Sequence, residues 1–187
     1  MKPDKRLVIL RAAESVFRGR RFHEVLLDDV AAAARVGKGT IYRYFNDKED
    51  LFFQIVVAGL REIEESVARV AASEKPVRDK LCAFGDVLTG VLKERHMIIP
   101  AIMTPEFARK RPDAREEFHR HHQALDKILA DILQEGIRTG TIRNDVNIDL
   151  FLCAFVGGMH GLTHRHRDDG LVPPVHELID LLLKGAR

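Results

Sequence analysis

Lys38, Gly39, Thr40, Tyr42, Arg43, Tyr44 and Lys48 crowd into eleven consecutive positions, and their combined chemistry suits a polyanion. Lys38, at the entry to a short helix, can neutralise a phosphate, and the free N–H groups of that helix end favour the same anion. Gly39 has no side chain, so the backbone can come close to DNA. Thr40 offers a hydroxyl and a methyl, suited to a phosphate or a thymine methyl. Tyr42 and Tyr44 present rings with hydroxyl tips, able to reach phosphates and to stack on sugar or methyl groups. Arg43 stands where it can meet a guanine edge in bidentate fashion or face a phosphate. Lys48 would grip a neighbouring phosphate.

The histidines offer a second chemistry. His160 and His164 are four apart on one helical face, a spacing that can bind a divalent metal, and His119 and His122 are spaced similarly. No cysteine or acidic cluster accompanies them in a fixed motif, so solvated or interface histidines explain them as well. The chain has no phosphate-binding glycine loop, no G-x-S-x-G and no H-E-x-x-H. We therefore expect no catalytic residue, no metal and no cofactor. A metal-dependent enzyme built on the C-terminal histidines is the competing reading.

The elements that must hold these residues read as helix after helix. Ile9, Leu10, Ala13, Val16 and Phe17 recur at helical spacing and mark a first amphipathic helix, ended by the polar break RGRRFHE. Asp28 is expected to cap a short second helix with Val30, Ala31 and Ala34 inside. After the Val36-Gly37 turn, a third runs from Lys38 to about Tyr44 with Ile41 turned inward. Two aromatics flanking Arg43 cannot all point inward on one helix, so Phe45 joins Ile41 in the core and the tyrosines face out. Asp47 is placed to cap a long fourth helix reaching about Ala72, with Glu49 and Asp50 favourable in its first turn.

Pro76 suits the first turn of a helix over 77–94, and Pro100, Pro105 and Pro112 cut the next stretch into short pieces. Helices are expected over about 114–139, 148–164 (capped by Asn147) and 175–183. No stretch alternates with period two and β-branched enrichment, so the fold class is all-α.

The run ARVGKGTIYRYFNDKEDLF, with ILRAAESVF and DDVAAAA upstream at the right distances, closely resembles the signature of TetR-type transcriptional regulators. The resemblance is strong over about residues 5–55 and generic beyond. It implies a helix-turn-helix whose third helix enters the major groove, and Lys38, Gly39, Thr40, Tyr42, Tyr44 and Lys48 match positions used there for DNA contact. Four residues depart from the pattern. Leu26 stands where a capping threonine is usual, Gly37 where serine commonly caps the third helix, and Arg35 and Arg21 replace glycines. Arg35 either avoids a positive φ or carries strain to reach it. Both arginines add positive charge near the DNA side.

The resemblance implies that residues 1–50 form the DNA-binding domain and residues 51–187 a helical domain for dimerisation and ligand capture. Gly157, Gly158 and Gly161 in DLFLCAFVGGMHGLTH mark close approach by another helix, and with HELIDLLLKG they suit half of a four-helix homodimer interface. An intramolecular contact is the alternative. Phe84, Leu88, Val91, Ile102, Met103, Phe107, Phe118, Phe155 and Met159 are candidates for the wall of a pocket taking an apolar or amphipathic effector.

Bulk properties agree. Of the net charge of +2, residues 1–50 carry +3 and the remainder −1, a modest basic bias at the expected DNA end. Cys82 and Cys153 both lie in apolar helical patterns and are expected as buried thiols in a reducing compartment. No secretory signal or run of about 18 apolar residues is present, so a cytoplasmic protein, nucleoid-associated on DNA, is expected. The expected function is a homodimeric repressor that binds a palindromic operator in double-stranded DNA and leaves it when a small molecule binds, or an activator of the same fold.

Overall fold

The structure, a computed structural model, describes residues 4–18, 20–94, 104–166 and 173–186. The described residues form nine α-helices and one 3₁₀ turn, with no strand among them: α1 (Lys5–Phe17), the 3₁₀ turn Phe22–Glu24, α2 (Leu27–Ala34), α3 (Lys38–Tyr42), α4 (Lys48–Ala71), α5 (Val77–Glu94), α6 (Pro105–Lys110), α7 (Pro112–Arg138), α8 (Ile148–Arg165) and α9 (Val175–Ala186). They group into two compact units, Met1–Leu60 with Arg95–His119, and Arg61–Glu94 with Arg120–Arg187. Helices α4 and α7 each contribute to both.

Local chemistry sets most helix ends. Asp4 accepts the Arg6 N–H at 2.9 Å to open α1. Asp47 accepts the Asp50 N–H at 2.6 Å to open α4, and Asn147 accepts the Leu150 N–H at 2.9 Å to open α8, both as the sequence predicts. Helix α2 differs from expectation. Its N-cap is Leu26, which supplies no side-chain hydrogen bond, and Asp28 sits inside the first turn. Helix α3 is shorter than expected: it closes at Tyr42, Arg43 is its C-cap, and Tyr44 lies in the following turn. Pro112 opens α7 two residues before the expected start, using the first-turn position where a missing N–H loses no bond.

The first unit's core is built from Ile9, Ala13 and Phe17 of α1, Val30 of α2, Ile41 of α3, and Leu51, Phe52 and Phe53 of α4. Phe17, Phe22 and Phe52 form an aromatic cluster, each of the first two 4.9 Å from the Phe52 ring centre. The second unit packs α5, α8 and α9 together, with Leu81, Phe84, Phe155, Met159 and Ile179 fully buried. Its polar ties are specific. The Lys80 ammonium, its side chain only 4% exposed, donates to both Glu135 oxygens at 2.9 and 2.7 Å. Arg78 grips Asp180 with two donors at 2.6 and 2.8 Å. Cys82 is buried as expected, but Cys153 is exposed, because it falls on the outward side of α8 where helical spacing alone does not say which face meets the core.

Candidate nucleic-acid interface

Helices α2 and α3 with the turn between them form a helix-turn-helix. The turn depends on Arg35, the C-cap of α2, whose φ of 53° and ψ of 45° are left-handed. A non-glycine residue there carries strain of about 1 kcal/mol. The arginine therefore reaches the positive φ rather than avoiding it. Its N–H bonds to the carbonyls of Ala31 and Ala32, which closes the helix. Gly37 then caps α3 in ordinary extended geometry, with φ −73° and ψ 149° and no side-chain bond.

Helix α3 and its flank divide into two sides. Ile41 and Phe45 are buried in the first unit's core. Tyr42 and Tyr44 face out, 51% and 39% exposed, and Arg43 is exposed between them. Thr40 is half-buried. A Cβ built on Gly39 would meet nothing within 4 Å, so the chain's own packing does not require glycine there. The space is available to something outside the chain.

The two lysines sit differently. Lys38 is exposed and donates to Asp28 Oδ2 at 3.0 Å, and this hydrogen bond raises its pKa. Lys48 is half-buried, its ammonium 4.4 Å from the Phe22 ring centre. Burial lowers its pKa, against the opposing pull of Glu49. A cleft of about 350 Å³ beside it is lined by Phe22, His23, Lys48, Glu49, Thr104, Glu106, Phe107 and Lys110.

One group of residues at this site has no local sequence signal. Arg111, between α6 and α7, donates to Asp50 Oδ1 at 2.7 Å and lies over the Phe53 ring, while Asp113 holds its other edge at 3.0 and 2.7 Å. Lys110 pairs with Glu49. Burial works to raise the Asp50 carboxyl, but the Asn46 backbone N–H and the Arg111 guanidinium outweigh it and hold the group below its ordinary value. The first turn of α4, next to Lys48, is thus clamped by residues some 60 positions later in the chain. Pairings this far apart in sequence leave no periodicity to read.

The candidate pocket residues divide between the two units. Phe84, Phe155 and Met159 are buried in the second unit, Phe84 and Phe155 in edge-to-face contact at 5.8 Å, and Leu88 and Val91 are half-buried on α5. Phe107 and Phe118 pack with the first unit's core. Ile102 and Met103 lie outside the described residues.

The second unit exposes a stripe along α8. Leu150 (67%), Cys153, Ala154, Gly157 and Gly161 all face out, as does Leu181 (66%) on α9. The three glycines separate: a Cβ on Gly158 would come within 2.5 Å of Leu178 on α9, while Cβ atoms on Gly157 and Gly161 would meet nothing within 4 Å. Gly158 is therefore an intramolecular contact, and the other two are not.

His160 and His164 are exposed on α8, and the His160 imidazole is held below its ordinary pKa by partial desolvation and then by His122. His122 approaches Asp126 at 3.1 Å, and His121 meets Glu64 at 2.5 Å. Among the described residues, no three His, Cys, Asp or Glu side chains are grouped to hold a metal ion. No described helix is long and apolar enough to cross a membrane.

Residues 9–55 match the family model described as bacterial regulatory proteins, tetR family, and residues 74–185 match that of the tetracyclin repressor-like C-terminal domain. The chain is 26% identical over 150 residues to the fatty acid metabolism regulator protein of Bacillus subtilis, covering 80% of this chain and 76% of the relative. It is 23% identical over 184 residues to the HTH-type transcriptional repressor AcnR of Corynebacterium diphtheriae, covering 98% and 92%. The fold is shared with the crystal structure of the transcriptional regulator FadR from Bacillus subtilis in complex with stearoyl-CoA, with a TM-score of 0.75, 22% identity and coverage of 97% and 99%.

Proposed function

The chain belongs to the tetR family of bacterial regulatory proteins, and from that premise we propose that it is a repressor that binds a palindromic operator as a homodimer and releases it on binding an apolar or amphipathic small molecule. The observation that carries the reading is the two-sided segment of the third helix and the turn after it: Ile41 and Phe45 buried, Tyr42, Arg43 and Tyr44 exposed, with Lys38 opening α3 and Lys48 opening α4. Lys38 and Lys48 take phosphates; Gly39 admits the backbone; Thr40, Tyr42, Arg43 and Tyr44 meet base edges and the sugar-phosphate surface. The domain roles follow: residues 1–50 read DNA, and residues 51–187 dimerise and take the effector.

A palindrome needs a two-fold partner, its reading heads about 34 Å apart. The outward stripe of α8 with Leu181 of α9 supports dimerisation there, because small and apolar residues left open by the chain's own packing suit a second copy. The Bacillus subtilis FadR structure holds stearoyl-CoA, and a long-chain acyl thioester, apolar along its chain and charged at its head, is the first effector class to test. The aromatic interior around Phe84 and Phe155 is the region that would receive its apolar part.

Ligand and operator communicate through α4 and α7, which contribute to both units. Helix α4, 24 residues long, is a rod of about 36 Å. Its first turn is tied to the start of α7 by Arg111 and Lys110, so a displacement of α7 by ligand is carried to the turn that bears Lys48. Reciprocal coupling of about 1–3 kcal/mol is the expected size.

The test is binding to an inverted repeat in the DNA flanking its own gene, followed by competition with fatty acids and acyl-CoAs. Salt-dependent operator binding relieved by one of these supports the reading. A ligand that binds tightly and leaves operator affinity unchanged overturns the release mechanism.

A further inference from the structure

The first turn of α2 carries two carboxylates, and each holds a cation. Asp29 accepts from Arg20 at 3.2 Å, and Asp28 accepts from Lys38 at 3.0 Å. The two pairs differ in what the cation is otherwise for. Arg20 lies in the segment that leads to α2, whereas Lys38 opens the helix proposed to read DNA. The reason Asp28 stands where it does is local. Unpaired N–H groups at the start of α2 favour negative charge, and Leu26 brings no capping oxygen of its own. The Asp28 carboxylate is exposed, as is Lys38, so the pair lies on the surface and not in the core.

An oxygen anion at the N-terminal end of α2, within hydrogen-bond distance of an ammonium at the N-terminal end of α3, is chemically what a DNA phosphate would present at the same place. We propose that Asp28 is a built-in stand-in for a DNA phosphate, a brake that occupies Lys38 in the free protein and must release it before that lysine can neutralise DNA. The proposal rests on the DNA-binding reading. Its consequence is selective in one respect. A phosphate contact carries no sequence information, so the brake weakens binding to every duplex, including those without an operator.

The experiment measures binding of a 30-base-pair random-sequence duplex by fluorescence anisotropy between about 50 and 200 mM salt, for the full chain, D28N, K38A and D28N/K38A. Asp28→Asn keeps the side-chain shape and removes the charge; Asp28→Ser is the second variant if the first folds poorly by circular dichroism. An exposed ion pair of this kind is worth a factor of about two to five, so D28N is expected to bind about two- to five-fold more tightly. Its log K against log salt should steepen by up to about 0.9, one phosphate's worth. In the K38A background the gain should largely disappear. Wild-type binding with no change in D28N overturns the brake alone, and so does a D28N gain undiminished by K38A, which would be general charge repulsion. If neither wild type nor D28N binds DNA at 50 mM salt, the DNA-binding reading fails and the brake falls with it.

Discussion

Helices α3 and α8 both present a face that the chain's own core does not use, and the two faces are chemically opposite. Around α3 the outward residues are Lys38, Tyr42, Arg43 and Tyr44, all with polar or charged tips. Along α8, Leu150, Cys153, Ala154, Gly157 and Gly161 form a stripe of small and apolar residues, with the exposed His160 and His164 beside its C-terminal end. A polyanion is held by donors and positive charge, whereas a second helix is held by close approach and excluded water. The contrast is the reason for proposing DNA at one face and a copy of the same chain at the other. It also shows why glycine means different things in the two places. Neither Gly39 nor Gly157 is required by the chain's own packing; under the proposed function the first would admit a duplex and the second a partner helix.

The largest expected effect comes from putting charge on the apolar face. A Cβ at Gly157 would meet nothing in the chain within 4 Å, so Gly157→Glu starts its side chain in open space on this face. Buried in a dimer as an unpaired charge, it should cost about 3–5 kcal/mol per site and convert the dimer to monomers at micromolar concentration. Light scattering decides between the masses. A dimer that survives the substitution moves the interface off this face. The lone exposed thiol gives a second reading, since Cys153 should react slowly with a thiol reagent in the wild type and quickly in the variant.

Next in size is Arg111→Ala, which leaves the buried Asp50 carboxylate without its cation. A stability loss of about 3 kcal/mol is expected for breaking a pair of this burial. Because the folded state holds Asp50 below its ordinary pKa, its contribution is present at neutral pH and is lost as the pH falls through that lowered value. Chemical denaturation at neutral and at acid pH should therefore show the wild type and the variant converging in acid. Operator binding that still responds to ligand in R111A would show that the clamp is not part of the coupling.

The inward and outward sides of the α3 segment were legible in the sequence almost residue by residue, and those of α8 were not. Helical spacing put Ile41 and Phe45 inside and the two tyrosines outside, because one short helix cannot bury aromatics on opposite sides. Asp47 and Asn147 were readable as caps, since capping is a matter of neighbouring residues. Asp28 as a cap was not correct: the carboxylate is in the turn and turned to Lys38, a partner ten positions away. The apolar residues grouped as one candidate pocket fall in two cores, Phe107 and Phe118 in one and Phe84 and Phe155 in the other. Side-chain type reports that a residue will be buried, and only tertiary structure reports with whom. The same limit hid the Arg111 clamp and made Cys153 look buried.

On the DNA face, Lys48→Ala should reduce the slope of log K against log salt by about 0.9 and weaken operator and random duplex alike. Tyr42→Ala should weaken the operator more than the random duplex, because an exposed ring at this position is read as meeting base edges. Equal losses for Tyr42→Ala would reduce it to a backbone contact and blur the division between the face's reading and gripping residues.

The smallest expected effect is at Arg35, where backbone strain and charge can be told apart. The residue holds φ at 53°, a conformation that glycine adopts freely and a side chain does not. Arg35→Gly should therefore stabilise the first unit by about 1 kcal/mol, less the few tenths lost because a glycine makes the unfolded chain more flexible. A modest rise in melting temperature, of a few degrees for a chain of this size, is the readout. If the arginine were only a solvated loop residue, DNA binding would follow stability or stay put. The residue stands three positions before Lys38 and adds positive charge to a face already rich in donors, so we expect a more stable protein that binds any duplex slightly less tightly. Its salt slope should fall by less than one phosphate's worth. A variant that is no more stable would show that the turn's geometry carries no strain in this chain, and one that is more stable with unchanged salt dependence would remove Arg35 from the DNA face.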